Sequence, residues 1–369
     1  MLAVGQSPHL DLVERMRSLA DQIMEMAPQL ELLFVTNIRD GELRDVGPEG
    51  VVNVGQYYSR READEIIRTF QELGLTVVPF FDELSFFRTV TSDRQSSDRQ
   101  RIVYTTAEGG SGSGRRALIP AMCNFLSLPV LNSGAHACSL ARHKFHANAV
   151  LRRVGVRVPE SWSFADAGWV GGSTPNLGLR VIVKPMYESQ CIGIDDKSVQ
   201  VVEDGFQAFI EQRRARFKQP LLVQEFITGD EIGVSIVRIG SSRALPPMAF
   251  RQRDGRLFND QPKTFSDEML DSNVSHVPYE EAPESTIAAL SEAAILAFDA
   301  LEMAGIGRID FRVDADGRAW VFDTNESPPP IRKTSYITAM EHLGFELRET
   351  LAVWLGVCLA EHGLLPSGV

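Results

Sequence analysis

The chain has 369 residues, of which 44% are hydrophobic and 23% are charged, a composition typical of globular proteins. At roughly 150 residues per domain, this length predicts two to three domains. The formal net charge of −12 argues against nucleic acid or an anionic membrane as the main partner, because both bind basic surfaces. A few local lysines and arginines would still suffice for a small anionic ligand.

Cysteine usage and the chain ends indicate the compartment. Cys123, Cys138, Cys191 and Cys358 form no C-x-x-C pair and no regular spacing, which disfavours a zinc site or a disulfide framework. The first residues lack the basic start and apolar core of a signal peptide. The apolar run at 351–360 is too short to span a bilayer. We therefore expect a cytoplasmic protein.

The first third of the chain alternates apolar runs and helical patterns. A helical stripe over 10–28 precedes runs of strand length at 31–38, 51–59, 75–81 and 101–106. Apolar residues at helical spacing predict a helix over 59–74 that ends at Gly74. Strand, helix and strand with short joints predict an α/β layer with a parallel sheet.

The rest of the chain mixes both element types. Loops are expected at 91–101 and in the glycine-rich stretch 108–116, helices at 118–128, 140–154, 206–217, 284–303 and around 347–355, and strands at 179–185, 198–203 and 219–227.

The hairpin GRIDFRVDADGRAWVFDTNE at 307–326 is the most informative segment. An Asp-Gly pair at 316–317 is a strong turn signal between two alternating strands. Along the first strand, period 2 separates an apolar face from a polar face that carries Arg308, Asp310 and Arg312.

The return strand adds oxygen donors to that polar face. Period 2 predicts one face for Val321, Asp323 and Asn325, and the expected register sets Asp310 opposite Val321 with Asp323 on the diagonal. Two carboxylates, an amide and the cation Arg308 would then meet on one patch, which suits Mg²⁺ bridging phosphates. The alternative is a solvated polar face of an edge hairpin.

Two lysines stand in apolar surroundings. Lys184 ends the apolar run 181–183, where an ammonium costs desolvation unless an anion meets it. Lys144 lies at helical spacing with Leu140, Ala147 and Leu151. For either lysine alone, a side chain that snorkels at the edge of its element is the simpler interpretation.

Other segments are weaker signals when taken singly. The loop 186–193 ends in a glycine, and 223–232 combines a strand end, a turn and Glu231. Gly112-x-Gly114 matches a loose dinucleotide fingerprint, but it lies well past the strand, and no acid follows about 20 residues on. His143 and His146 have no third metal ligand near in sequence.

In chain order, these pieces resemble the ATP-grasp superfamily, specifically its D-alanine–D-alanine ligase-like carboxylate–amine ligases. The resemblance covers about 101–350 and runs through Lys144, VIVKP with Lys184, Glu188, QEFITGDE, KTFSD, GRIDF and FDTNESP. It implies an α/β (α+β) ATP-grasp fold. An N-terminal parallel-sheet domain over 1–139 would precede two ATP-grasp subdomains, 140–223 and 224–369, with ATP between them and the metal site in the last.

The resemblance also implies roles in nucleotide binding. Lys144 and Lys184 would contact the ATP phosphates, and Glu188, in the loop after Lys184, would also bind the nucleotide. The segment Gln224, Glu225, Phe226 and Ile227 would line the adenine, with backbone groups of Glu225 and Ile227 at its edge. Glu231 would hold the ribose hydroxyls.

The catalytic and metal roles follow in the same way. Lys263, on a loop that closes over the site, would touch the transferred phosphate. Asp310, Asp323 and Asn325 would hold two Mg²⁺, or Mn²⁺ in their place. Arg308 would stabilise the tetrahedral intermediate.

The chain departs from the family where D-alanine would bind. Asp323 replaces a glutamate, and 190–191 reads Gln-Cys instead of serines. A family glycine, whose N–H completes the oxyanion site, is Pro329 here, and proline has no N–H to donate. Arg332, Lys333 or Ser335 would have to substitute.

A second departure concerns the amino substrate. The family's histidine-glycine pair beside it reads Glu108–Gly109. We therefore expect an ATP-dependent ligase that joins small carboxylate and amine substrates, amino acids or similar molecules, through an acyl phosphate. Arg332 and Lys333 suggest an acceptor that bears a carboxylate. The alternatives are a genuine D-alanine–D-alanine ligase, a nucleotide-binding module without turnover and a nicotinamide oxidoreductase. A homodimer is a further expectation, because dimers are common among relatives.

Overall fold

The computed structural model describes residues 8–41, 56–92, 98–131, 133–270, 273–329 and 334–365. Its helices are α1 (Pro8–Met26), α2 (Arg60–Leu73), α3 (Glu83–Ser92), α4 (Leu118–Leu126), α5 (Ala135–Arg142), α6 (Lys144–Arg153), α7 (Phe206–Phe217), α8 (Glu284–Ala300), α9 (Ser335–His342) and α10 (Leu347–Glu361). Across these ranges, no helix combines the length and the apolar composition needed to cross a membrane.

The strands of the same ranges form three sheets. They are β1 (Leu30–Val35), β2 (Thr76–Phe80), β3 (Gln100–Thr105), β4 (Ser161–Ala165), β5 (Gly168–Trp169), β6 (Arg180–Pro185), β7 (Val199–Val201), β8 (Leu221–Glu225), β9 (Asp230–Ile239), β10 (Ser241–Ala244), β11 (Met248–Gln252), β12 (Val274–Pro278), β13 (Ile306–Val313) and β14 (Ala319–Asn325).

The N-terminal sheet is parallel, as predicted, with strand order β2-β1-β3. Its helix α2 begins at a capping box, in which Ser59 and Glu62 satisfy each other's backbone N–H groups. It ends at Gly74, whose φ of 110° favours glycine. Most of the predicted strand over 51–59 lies outside the described residues.

The other two sheets are antiparallel and face the site. The five-stranded sheet has the order β5-β4-β8-β6-β7, and the six-stranded sheet the order β12-β11-β9-β13-β14, with β10 on β9. The segment between β8 and β9 passes from one sheet to the other. The long central strand β9 was not predicted, because eight of its ten residues are buried, on both faces of the sheet, and they show no clean alternation.

One predicted helix is two. The expected helix over 140–154 is broken at His143, whose φ of −88° and ψ of 80° are not helical. Its ring accepts the N–H of His146 and so begins α6 with a side-chain cap. As a result, Lys144 is the first residue of α6 and not a residue within a longer helix.

The chain ends pack together. Helix α10 contacts α1, and both contribute side chains to the hydrophobic core beside the parallel sheet. This contact joins the first expected domain to the last, so the domain limits expected at 139/140 and 223/224 remain a proposal.

Candidate active site

A cleft of about 420 Å³ lies between the two antiparallel sheets and extends toward the parallel one. Most residues that the sequence singled out line it: Glu108, Lys144, Lys184, Glu188, Gln224, Glu225, Phe226, Ile227, Glu231, Lys263, Arg308, Asp310, Asp323 and Asn325. Chain segments far apart in sequence thus meet at one place.

A β-bulge in the hairpin brings the two aspartates together. Val321 lies opposite Phe311, but Asp323 lies opposite Asp310, so Phe322 is an extra residue in β14. Directly opposite residues of an antiparallel pair point to the same face. The predicted register with Asp310 opposite Val321 is therefore wrong, as is the common face of Val321 and Asp323. Strict period-2 alternation cannot anticipate an inserted residue.

Lys184 reaches this bulge from the other sheet. Its ammonium donates to the Phe322 carbonyl at 3.0 Å and lies 5.6 Å from the centre of that ring. The side chain is 4% exposed, and burial lowers its pKa to about 8, although Asp323 opposes the effect. A buried ammonium without a carboxylate partner favours an anionic ligand.

Lys144 neutralises one of the aspartates. Its ammonium lies 2.6 Å from Oδ1 of Asp323. Burial acts to raise the pKa of Asp323, but Lys144 and Lys184 outweigh burial, and the pKa is lowered. The carboxylate is therefore ionised with two cations beside it.

Arg308 holds the other aspartate in a bidentate pair. Nε lies 2.7 Å from Oδ1 of Asp310, and Nη2 lies 2.8 Å from Oδ2. Burial raises the pKa of Asp310, and Arg308 offsets only part of that effect. Asn325 lies opposite Arg308 in the hairpin, so the predicted oxygen donors share this end of the cleft.

Lys263 lies between β11 and β12 and covers the cleft. Its ammonium is 2.9 Å from Oε2 of Glu268 and 4.5 Å from the centre of the Phe250 ring. The N–H of Phe265 donates to the carbonyl of Ile194 at 3.1 Å. This bond joins the Lys263 segment to the loop after β6, so the two loops meet above the site.

The predicted adenine segment lies where the chain crosses between the sheets. Gln224 donates to Oγ of Ser161 at 3.3 Å, and the N–H of Glu225 donates to the Glu160 carbonyl at 2.8 Å. Two guanidinium groups lie over the Phe226 ring, with Arg180 at 4.7 Å and Arg312 at 4.5 Å from its centre. Side chains from both antiparallel sheets thus fix this segment.

Glu188 is held by protein groups. Its carboxylate accepts from Gln56 at 2.6 Å, from Arg115 at 2.8 Å and from Gln219 at 2.8 Å. These bonds fix the loop after β6, and the predicted contact of Glu188 with ATP stays a prediction.

The end of the cleft nearest the parallel sheet carries an arginine–glutamate cluster, made of Glu108, Arg115, Arg116, Arg142 and Glu326. The Glu108 carboxylate pairs with Arg116 and Arg142 and lies 3.4 Å from Arg115. Arg116 also lies 2.6 Å from Glu326. Burial acts to raise the pKa of Glu108, but Arg142 and the other two arginines outweigh burial, and the pKa is lowered.

Three predicted substrate or catalytic residues stand apart. Arg332 and Lys333 lie outside the described residues. Ser335 is fully buried at the start of α9, whereas its neighbour Thr334 lines the cleft. Pro329 lines the cleft as well. The catalytic role of Ser335 stays a prediction.

Sequence reasoning missed the arginine–glutamate cluster and Arg312. Arg115 and Arg116 end the glycine-rich stretch 108–116, which was interpreted as a loop with a loose dinucleotide fingerprint. The polar face of β13 did include Arg312, but its partners come from distant segments. The stacked rings of His143 and His146 lie 3.6 Å apart, with no metal cluster around them in the described chain.

The residues present fit a nucleotide and a divalent metal. Oε2 of Glu231 is buried and has no hydrogen-bond partner among the described residues, as expected of an acceptor that awaits a ligand hydroxyl. Asp310, Asp323 and Asn325 provide the hard oxygen donors that Mg²⁺ prefers. Since no cluster of three or more His, Cys, Asp or Glu occurs in the described ranges, a metal here would take further oxygens from phosphates.

Comparison with known sequences points to one family. Residues 150–353, more than half of the chain, match the family model described as "D-ala D-ala ligase C-terminus". The chain is 30% identical over 233 residues to a D-alanine–D-alanine ligase of Bordetella petrii, across 63% of this chain and 67% of that protein. It is 29% identical over 235 residues to one of Aromatoleum aromaticum, across 63% and 70%.

Comparison with solved structures addresses the fold. The crystal structure of D-alanine–D-alanine ligase from Bacillus anthracis complexed with ATP matches with a TM-score of 0.65 at 16% identity, across 90% of this chain and 98% of that one. The ligase from Coxiella burnetii matches with a TM-score of 0.64 at 15% identity, across 91% and 96%. The predicted ATP-grasp fold is confirmed.

Proposed function

We propose a substrate class from one premise: the chain belongs to the D-alanine–D-alanine ligase family and is an ATP-dependent, ADP-forming carboxylate–amine ligase. Its substrates, in this proposal, are amino acids or amino-acid-like molecules other than a pair of D-alanines. The observation that carries the proposal is the arginine–glutamate cluster, which occupies the end of the cleft beyond the aspartates.

The cluster supports an amino-acid-like substrate because it offers both signs of charge. Arg116 and Arg142 line the cleft and suit a carboxylate, while Glu108 and Glu326 line it and suit an ammonium group. Neither sign is in excess once Glu188, which pairs with Arg115, is counted, because three arginines then face three glutamates. A zwitterion can enter such a site without leaving one charge unpaired.

Two residues at the same end of the cleft disfavour a pair of D-alanines as substrates. Pro329 lines the cleft and has no N–H to offer an oxyanion. Glu108 stands where the family resemblance implies a histidine, and its lowered pKa keeps it an ionised acceptor. These two residues change the hydrogen-bonding groups on offer, and a site built around one set of groups rejects substrates that leave them unpaired.

The opposite end suits phosphoryl transfer. Lys144, Lys184 and Lys263 converge there and would neutralise phosphate charge, which is the main requirement of this chemistry. One or two Mg²⁺ held by Asp310, Asp323 and Asn325 would supply further charge neutralisation when bound. The acyl phosphate would form with loss of ADP, and the attacking amine would then displace phosphate.

Arg308 is suited to the second step. Its guanidinium points to Asp310 in a bidentate pair and lines the cleft beside the metal-type donors. A fixed cation at this place can stabilise an oxyanion as it develops. The Lys263 segment, joined to the loop after β6, would keep water from the acyl phosphate.

The adenine contacts can be assigned by exclusion. The N–H of Glu225 and the carbonyl of Ile227 already bond to Glu160 and Arg312. We therefore propose that the Glu225 carbonyl and the Ile227 N–H bind the adenine edge. A donor beside an acceptor is the pattern that an adenine edge complements.

Three broader features belong to the same proposal. We place the enzyme in the cytoplasm, because its free cysteines suit a reducing compartment. A homodimer is proposed only because dimers are common among relatives. The proposed three-domain division at 1–139, 140–223 and 224–369 follows the order of the three sheets along the chain, except that the limit at 223/224 falls within β8.

A substrate screen tests the proposal. The protein is incubated with ATP, Mg²⁺ and amino acids of both configurations, singly and in pairs, while ADP is measured and amide products are identified by mass spectrometry. We expect ADP release that requires a particular pair. Full activity with D-alanine alone would make the enzyme a genuine D-alanine–D-alanine ligase and overturn the substrate class. No ADP with any pair would overturn the ligase function itself.

A further inference from the structure

Arg312 lies directly opposite Glu231 across the strand pair β9–β13. Cross-strand neighbours of this kind share a face of the sheet. Both side chains are buried, with 4% and 3% of their surface exposed. The pairing thus places a guanidinium behind the acid that faces the nucleotide end of the cleft.

The guanidinium of Arg312 binds four loop carbonyls in addition to Glu231. Nη1 donates to Ile227 at 3.1 Å, to Gly229 at 3.4 Å and to Asn259 at 2.9 Å, and Nη2 donates to Gln261 at 2.9 Å. Nη2 also donates to Oε1 of Glu231 at 2.5 Å. A planar fork with several donors can make these contacts together, which the single ammonium of lysine cannot.

These contacts leave Glu231 with one committed oxygen and one open oxygen. Oε1 accepts from Arg312, while Oε2 is buried and has no partner in the described chain. A buried acceptor without a donor is costly, so the site favours a ligand that brings one. Hydroxyl groups bring such a donor, and phosphate oxygens do not.

The segments that Arg312 ties together both serve the nucleotide. Ile227 ends the adenine segment, and Gln261 lies two residues before Lys263. Gly229 lies between them in space: its N–H donates to the Asn259 carbonyl, and a Cβ there would fall 2.0 Å from the Val313 carbonyl. The close approach requires glycine at 229.

We propose that Arg312 is a positioning residue that fixes Glu231 with Oε2 open to the ribose hydroxyls, and that it thereby sets a preference for ribonucleotides over deoxyribonucleotides. This inference rests on the proposed use of ATP. It concerns binding, so it is separable from which amino acids are joined.

The test measures affinity for ATP, 2′-deoxy-ATP and 3′-deoxy-ATP with Mg²⁺ by titration calorimetry. In the unaltered protein, loss of a hydroxyl bonded to a carboxylate should weaken binding about tenfold to hundredfold. Arg312→Lys should reduce this ratio toward one, because ATP loses affinity and the deoxynucleotide that already lacked the bond loses little. Equal ratios in the two proteins would overturn the proposal.

Glu231→Met tests whether Arg312 acts through Glu231. It keeps the length of the side chain but offers no oxygen or N–H to a ribose hydroxyl, so it should remove the ribose preference by itself. Adding Arg312→Lys to this variant should leave the ratio unchanged. A further change of ratio in the double variant would contradict the proposed route. A ribose preference that persists in the Glu231 variant alone would overturn the proposal without any change at Arg312.

Arg180→Met is the matched control. Arg180 stacks on the same Phe226 ring as Arg312 but does not contact Glu231, since it bonds to Asp260. Its loss should weaken ATP and both deoxynucleotides by the same factor. A selective effect on ATP would show that any loss of this segment alters ribose preference and would overturn the specific role of Arg312. Binding measured without amide formation distinguishes failure of this inference from failure of the ligase proposal.

Discussion

The two ends of the cleft hold their charges in different ways. At the phosphate end, the buried Lys184 contacts a backbone carbonyl and no carboxylate among the described residues, and its pKa is lowered to about 8. At the other end, Glu108 is surrounded by Arg116, Arg142 and Arg115, and its pKa is lowered as well. One end therefore keeps a cation short of counter-charge, whereas the other is balanced within the protein.

This difference indicates what each end is built to do. An uncompensated buried cation reduces stability in the free protein and gains from a bound phosphate. A balanced network stays fixed whether or not ligand is bound, so it shapes the site. Substitutions at the two ends should therefore separate binding from stability.

Asp310→Ala should remove turnover, with kcat lowered at least about 100-fold, because a bound metal supplies several kcal/mol of charge stabilisation. Steady-state ADP release measures the effect. Asp316→Ala is the control, since Asp316 lies at the tip of the same hairpin with a side chain 70% exposed. A near-normal rate for Asp310→Ala would show that the aspartates hold no essential metal.

Glu108→Gln should lower the free energy of unfolding by about 3–5 kcal/mol, because it leaves buried arginines without their counter-charge. Urea denaturation measures this change. In Glu281→Gln, which breaks the exposed pair with Arg251, the loss should stay below about 1 kcal/mol. Equal stability of the two variants would mean that the cluster is not a balanced unit.

Lys184→Met should weaken ATP binding at least about tenfold, which corresponds to about 1.4 kcal/mol. Its free energy of unfolding should be unchanged or higher, because an apolar side chain replaces a buried charge. Calorimetry and urea denaturation check the two parts, with the exposed Lys197→Met as control. Loss of stability together with loss of binding would contradict the proposed contrast between the ends.

The smallest expected effect is a proton taken up with ATP. Since the pKa of Lys184 is lowered to about 8, the lysine is largely neutral at pH 9, and phosphates favour its charged form. Binding at that pH should therefore absorb a fraction of a proton and weaken as pH rises above about 8. Calorimetry in buffers of different ionisation heat measures the uptake, which Lys184→Met should abolish. Uptake that persists in the variant would assign it to another group.

Local pattern was sufficient for much of the fold. The helix over 59–74 has a capping box at its start and a glycine at its end, so residues close in sequence determine where it begins and ends. The hairpin was likewise predicted from its turn and alternation. The insertion of Phe322 was not, because a bulge is decided by pairing with β13 and by the reach of Lys184 from another sheet.

The site residues also differ in whether local sequence pattern could predict them. Lys144, Lys184, Asp310 and Asp323 stand out as charges in apolar or alternating surroundings, and they meet in one cleft. Arg312 could not be assigned from sequence, since its role depends on carbonyls 51 to 85 residues away. Contacts of that kind exist only once the chain is folded.

The most direct test of the account is a crystal structure with a non-hydrolysable ATP analogue and Mg²⁺. We predict phosphates between Lys144 and Lys184, metal on the oxygens of Asp310 and Asp323, and ribose hydroxyls at Oε2 of Glu231. A nucleotide bound elsewhere, with both aspartates turned from the metal, would contradict it.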